Sequence, residues 1–161
     1  MAMAKSKSPK SRFTFQRYWG WILAAAATTV AVLFLLFPKK PYPAADWRNP
    51  EVVAHGESLF REHCVSCHGV AGVGEVPSKP MGGEKDGGGY LAPALDGSGH
   101  AWHHRPETLF QVIKDGSPAG DSPMRGFAGR LSDGEISLII AYFRSLWPLQ
   151  IQDRYEQMSR H

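Results

Sequence analysis

The chain has 161 residues, room for one domain of ordinary size and an extra segment. Its formal charge of +3 is unevenly placed: seven of the eighteen Lys and Arg residues fall at or before Lys40, whereas all fifteen Asp and Glu residues lie from Asp46 onward against eleven Lys and Arg. The globular part is therefore net acidic, and a nucleic-acid reading has no basic patch there to rest on.

Residues 1–17 are small, polar and basic, and read as a disordered tail left in the cytoplasm. Residues 18–37, YWGWILAAAATTVAVLFLLF, carry no charge. Twenty residues of helix reach about 30 Å, the thickness of a bilayer's hydrocarbon core. Tyr18, Trp19 and Trp21 stand at one end, where amphipathic rings prefer the interface. Five cations precede the run, which predicts a signal-anchor helix with the rest of the chain exported. The rival reading, a cleaved signal peptide, wants a shorter apolar core and a small residue where Pro43 would stand. Residues 38–49 hold three prolines and no apolar periodicity, which predicts a semi-rigid linker with a reach of about 40 Å at most.

Pro50 opens a helix in which Val52, Val53, Gly56, Leu59, Phe60 and His63 recur at helical spacing. Gly56 is a poor helix former and marks the close approach of another backbone. The helix leads into Cys64-Val65-Ser66-Cys67-His68. C-x-x-C-H is the pattern of covalent c-type haem attachment: each thiol can add across one vinyl group, and the adjacent imidazole can take the iron. Two other readings of these residues fit less well. A thioredoxin-like pair expects a βαβ setting, and a zinc site needs four ligands that His63, Cys64, Cys67 and His68 are too close in sequence to supply unaided. Haem of this kind is attached outside the cytoplasm, in agreement with an exported domain.

Residues 69–92 form a Gly-rich stretch longer than an ordinary loop, which predicts a surface excursion with Met81 exposed. His100, His103 and His104 could in principle offer a bis-histidine ligand or bind copper, although a loop cluster of this kind is more often solvated. Residues 106–115 read as a short amphipathic helix between Pro106 and Gly116, contributing Leu109, Phe110, Val112 and Ile113 to a pocket wall. Ser132 and Glu135 make a capping box for a last helix with an apolar stripe of Ile136, Ile139, Ile140 and Phe143, ended by Pro148. The tail, 149–161, could extend helically and carries no assignable chemistry, with Met158 on its surface.

From about Asn49 to Trp147 the chain resembles a class I c-type cytochrome. Gly56 and Phe60 match that family's G-x-x-x-F/Y before the haem motif, and Tyr142 in IIAYFRS matches its aromatic in the last helix. The resemblance implies an all-α fold over residues 50–148, with crossed amino- and carboxy-terminal helices around one haem, preceded here by a single transmembrane helix. It implies that Pro93 in LAPAL holds the proximal His68 through its carbonyl, and that Met124 in SPMRGF is the sixth ligand. The family's proline after that methionine is replaced by Arg125, which predicts a looser loop. Trp102 and Arg105 are candidate donors to haem propionates.

The implied function is that of a membrane-tethered carrier with one haem c on Cys64 and Cys67. It would pass single electrons between redox partners such as a quinol-oxidising complex, a terminal oxidase or a reaction centre, outside the inner membrane of a bacterium. The alternatives are a haem c subunit of a larger oxidase or dehydrogenase, and a haem-based sensor in which Met124 leaves the iron. An enzyme with its own substrate is not expected, since no nucleophile–base pair is legible.

Overall fold

The computed structural model describes residues 12–36, 43–119 and 122–159. The basic tail up to residue 11, Phe37, linker residues 38–42 and the last two residues lie outside the described residues. The chain divides into two compact units, residues 1–39 and 40–161.

The first unit holds α1, Arg12–Leu36. It begins six residues ahead of the uncharged run, because RFTFQR contains no glycine or proline to stop a helix, so the last part of the expected tail is helical. Among its described side chains, Trp21, Val30 and Leu35 are exposed. Among the described residues no helix is long and apolar enough to cross a membrane, and the span expected over 18–37 finds no support there.

The second unit contains α2 Pro50–His63, α3 Val65–His68, a hairpin of β1 Gly83–Glu84 and β2 Tyr90–Leu91, α4 Pro106–Asp115, α5 Asp133–Ser145 and α6 Leu149–Met158, with single 3-10 turns at Val70–Gly72 and Ala101–His103. The hairpin, with isolated β-bridges between Gly116 and Arg125 and between Ala128 and Leu131, departs from all-α. Gly83 faces Leu91 and Glu84 faces Tyr90 in antiparallel register.

Local chemistry sets the helix ends, with the Pro50 start of α2 and the α5 capping box as the sequence predicts. Asn49 caps α2, its side-chain oxygen accepting from the Glu51 N–H at 2.9 Å, with Pro50 at the first helical position. The capping box of α5 is complete: Ser132 Oγ accepts from the Glu135 N–H at 3.3 Å, and the Glu135 carboxylate accepts from the Ser132 N–H at 2.8 Å.

The unit is built on the crossing of α2 and α5. Gly56 lies so close to α5 that a Cβ there would stand 2.1 Å from the Leu138 carbonyl oxygen. One turn on, the fully buried Phe60 ring packs 5.2 Å from that of Tyr142. Leu109, Phe110 and Ile113 of α4 join Ile136, Ile139, Ile140 and Phe143 of α5 in the same core. These are the residues that the helical periodicities select.

The amino end of the unit departs from the expected linker. Residues 43–49 are packed onto the helices rather than forming a free linker. The Pro43 carbonyl accepts from Ser137 Oγ, and the Arg48 guanidinium covers the Trp47 ring at 4.1 Å while pairing with Glu156 at 2.6 Å. The carboxy-terminal tail forms α6, whose Tyr155 is 1% exposed and meets the Trp147 ring edge-on at 4.9 Å. Met158 is half-buried against the core instead of lying on the surface. Its position on α6 at i+3 from Tyr155 puts both on one face, a pairing that sequence spacing offers but does not compel.

Replacing Gly56 by alanine should lower the stability of the folded domain by about 3 kcal/mol or more, because the added methyl group meets backbone that cannot rotate away. Gly134→Ala, in the exposed first turn of α5 where the nearest atom is 3.9 Å from the new Cβ, should raise it by about 0.5–1 kcal/mol. Denaturant titration of the two variants beside the wild type checks both signs.

Candidate haem-attachment site

The end of α2 delivers the motif. The Cys64 N–H donates to the Phe60 carbonyl at 2.8 Å, and the chain then turns through α3, with the Cys67 and His68 N–H groups returning to the Cys64 carbonyl at 3.1 and 2.9 Å. Both thiols and the imidazole therefore issue from one helical turn. Neither cysteine is in a disulfide. Burial pushes the Cys64 thiol up to about 11, with Cys67 adding to the rise, so it is a neutral thiol at physiological pH. Zinc takes thiolates, and among the described residues no three His, Cys, Asp or Glu side chains converge on a metal position.

His68 is buried, and its Nδ1–H donates to the Pro93 carbonyl at 2.8 Å. That bond selects the tautomer: the lone pair is left on Nε2, the nitrogen a metal would take. Burial lowers the imidazole's affinity for a proton, while the Pro93 hydrogen bond and the Glu75 charge act against it. A neutral imidazole with one nitrogen tied back, next to two unpaired thiols, has the chemistry of a haem c donor set. The residues fit the group.

Pro93 reaches His68 because its neighbours are anchored on all sides. The Ala94 N–H donates to the Pro80 carbonyl at 2.8 Å, and the Leu95 N–H to the Gly72 carbonyl at 2.6 Å. The Leu95 carbonyl in turn accepts from Trp147 Nε1 at 2.8 Å, a tie from the end of α5 that the sequence did not suggest. Gly74 takes a φ of +86°, and a Cβ on it would lie 3.0 Å from the Ala94 nitrogen, so only glycine lets the 69–75 segment run against 92–96. The Gly-rich stretch is thus not wholly an excursion: its first residues line the proximal histidine, while Met81 is exposed as expected.

Met124 is half-buried against the core cluster. Its loop is held by backbone rather than by a following proline: its carbonyl accepts from the Ser117 N–H at 3.1 Å, and Phe127 and Ala128 donate to the Ile113 and Lys114 carbonyls at 3.0 and 2.8 Å. The looseness expected from Arg125 is answered by these bonds. The Trp102 N–H donates to Gly99 within its own turn at 3.0 Å, so the donor expected for a propionate is already engaged. Arg105 is exposed at the amino end of α4, 3.5 Å from Glu107. No hydrogen bond or ion pair among the described residues joins either to Cys64–His68. In the histidine cluster, the His100 ring lies 5.4 Å from His104, and His103 packs on Trp102 at 3.7 Å.

Comparison with known proteins agrees with this geometry. A family model described as cytochrome c oxidase, cbb3-type, subunit III matches residues 51–143. Cytochrome c6 of a Picosynechococcus species is 30% identical over 121 residues, covering 75% of this chain and 89% of its own length. Thiosulfate dehydrogenase of Stutzerimonas stutzeri is 30% identical over 132 residues, 80% of this chain, but the chain spans only 37% of that relative's length. Among solved structures, cytochrome cL of Methylophaga aminisulfidivorans aligns at a TM-score of 0.48 and 24% identity, over 80% of this chain and 74% of its own. Two free thiols and a tied-back imidazole on one turn lie within the matched residues, and the chain belongs to the cytochrome c family, in the domain family described as cytochrome c oxidase, cbb3-type, subunit III.

Proposed function

We propose that the chain is a membrane-tethered electron carrier, with one haem c held by thioether bonds from Cys64 and Cys67, outside the inner membrane of a bacterium. The observation that carries this reading is the bond from His68 Nδ1 to Pro93, directly after two free thiols on the same turn. When bound, the haem supplies a one-electron iron couple. The protein's part is to hold and enclose it. His68 offers Nε2, and Met124, on a loop pinned by its backbone bonds, offers a thioether suited to electron transfer. Were His68 and Met124 both to hold the iron, the chain would leave no open place for a substrate, which favours a carrier over a catalyst or sensor. The tether rests on the uncharged run 18–37 with five cations before it. It would replace free diffusion by a high local concentration over the membrane.

A second reading is a haem c subunit of a larger oxidase or dehydrogenase, which would use the same site. The family description, of an oxidase subunit, favours it. Extraction in mild detergent separates the two: a carrier elutes alone, whereas a subunit elutes with a catalytic partner. In either case the protein should stay with the membrane pellet through a high-salt wash, and deletion of 18–37 should release it to the soluble fraction.

The oxidised wild type should show a low-spin spectrum with a methionine-sulfur charge-transfer band. Met124→Ala should lose that band, bind carbon monoxide when reduced and titrate at a lower potential, since methionine ligation raises it. A high-spin wild type at neutral pH would overturn the assignment of Met124.

Covalent haem should survive denaturation in the wild type. Cys67→Ala should retain it through one thioether, with the haemochrome absorption moved to longer wavelength by the unsaturated vinyl group. Loss of both thiols should abolish attachment. Haem staining of a denaturing gel and the pyridine haemochrome spectrum read the three cases.

A further inference from the structure

The segment that follows His68 closes a ring of hydrogen bonds around it. The Gly74 N–H donates to the His68 carbonyl at 2.7 Å. The next residue, Glu75, grips Ala92 twice: its N–H donates to the Ala92 carbonyl at 3.0 Å, and its Oε2 accepts from the Ala92 N–H at 3.0 Å. Ala92 leads into Pro93, whose carbonyl returns to His68 Nδ1 at 2.8 Å. Proline has no N–H, so Pro93 cannot anchor its own peptide. Its carbonyl is aimed by what holds Ala92 on one side and Ala94 on the other, and on the Ala92 side that is Glu75.

The other carboxylate oxygen has its own partner. Glu75 Oε1 accepts from Lys85 Nζ at 2.6 Å. Lys85 stands in the β1–β2 turn, which is closed by its own N–H donating to the Gly89 carbonyl at 2.9 Å and its carbonyl accepting from the Gly88 N–H at 3.0 Å. Gly87, Gly88 and Gly89 all have φ between +83° and +99°, so this turn is one that only a glycine run makes without strain. The hairpin thereby delivers a cation to the carboxylate that holds the Pro93 strand. Lys85 and then the Ala92 N–H keep the Glu75 carboxyl below the usual carboxylate range, so it is charged at neutral pH.

The geometry points to Glu75 as the positioning residue of the proximal histidine, aiming the Pro93 carbonyl at His68 Nδ1, with the Glu75–Lys85 pair setting the charge that bears on the redox couple held at Nε2. This rests on the haem reading of the site. A negative charge beside the imidazole favours the oxidised, more positive form of the couple, and a positive charge favours the reduced form. Glu75 and Lys85 therefore pull the couple in opposite directions, and the Gly-rich hairpin is the element that balances them.

The test is a redox titration of the full-length holoprotein, read as the oxidised-to-reduced ratio at one fixed ambient potential. Glu75→Gln keeps an acceptor for Ala92 and removes the charge; the ratio should fall roughly two- to fivefold, the size expected of a partly exposed charge pair. Lys85→Gln leaves the Glu75–Ala92 grip intact and should raise the ratio by a similar factor. Glu75→Ala removes grip and charge together; the ratio should fall, and the His68 Nδ1 proton should exchange with solvent faster than in Glu75→Gln by nuclear magnetic resonance. Shifts of the same sign in Glu75→Gln and Lys85→Gln, or no shift in either, would overturn the assignment while leaving the haem reading intact. A wild type lacking covalent haem would overturn both.

Discussion

Where α2 and α5 cross there is no side chain between them on the α2 side. A Cβ at Gly56 would sit 2.1 Å from the Leu138 carbonyl oxygen, so the two backbones are in direct contact. This closeness brings Phe60, one turn later, against Tyr142, and it fixes where α2 ends. The motif begins at the next residue, Cys64. A helix is stiff over three turns, so the position of the two thiols and of His68 relative to the core is inherited from that crossing. The rest of the unit is arranged about a frame only a glycine at residue 56 permits.

The second level of order is backbone against backbone around His68. The segments 69–75 and 92–96 are joined by hydrogen bonds. Their bonds are amide to carbonyl, apart from the Glu75 carboxylate on the Ala92 N–H. This explains a composition that looks like that of a disordered loop. Glycine is needed where chains must approach and where φ is positive, and both conditions hold at Gly74. The arrangement holds the His68 imidazole by a carbonyl whose own neighbours are tied to other segments, which fixes the ring's orientation.

The third level is the clasp at the ends of the unit. The Arg144 guanidinium lies 4.6 Å over the Tyr155 ring and 5.7 Å from that of Trp47, joining α5, α6 and the segment before α2. Trp147 adds the bond to Leu95 and the edge contact to Tyr155. Cation–π contacts of this sort contribute more as they are withdrawn from water, and here the Tyr155 ring is buried and that of Trp47 half-buried. The α6 helix thus supports the loop that carries Pro93, although it lies far from the motif in sequence.

Signals local in sequence were legible without the fold. The haem motif, the Ser132 cap, the proline starts of α2 and α4 and the apolar stripes of α4 and α5 each depend on residues within a few positions of one another, and each stands where the sequence placed it. The Gly56 approach and the Pro93 bond came from the family resemblance and from the poor helix propensity of glycine, and the structure supplies their distances. Other features were not legible, because they join residues distant in the chain. Nothing near Glu75 announces Ala92, nothing near Trp102 says that its N–H turns back to Gly99, and nothing near Pro43 gives a sign of Ser137. Sequence alone determined that this chain carries a haem c motif on a helix end and which stripes are buried, since those follow from local periodicity and bonding. Only the tertiary structure decided what holds the Pro93 carbonyl against His68 and how far the domain extends past Pro148, since hydrogen bonds between distant segments exist only once the backbones have met.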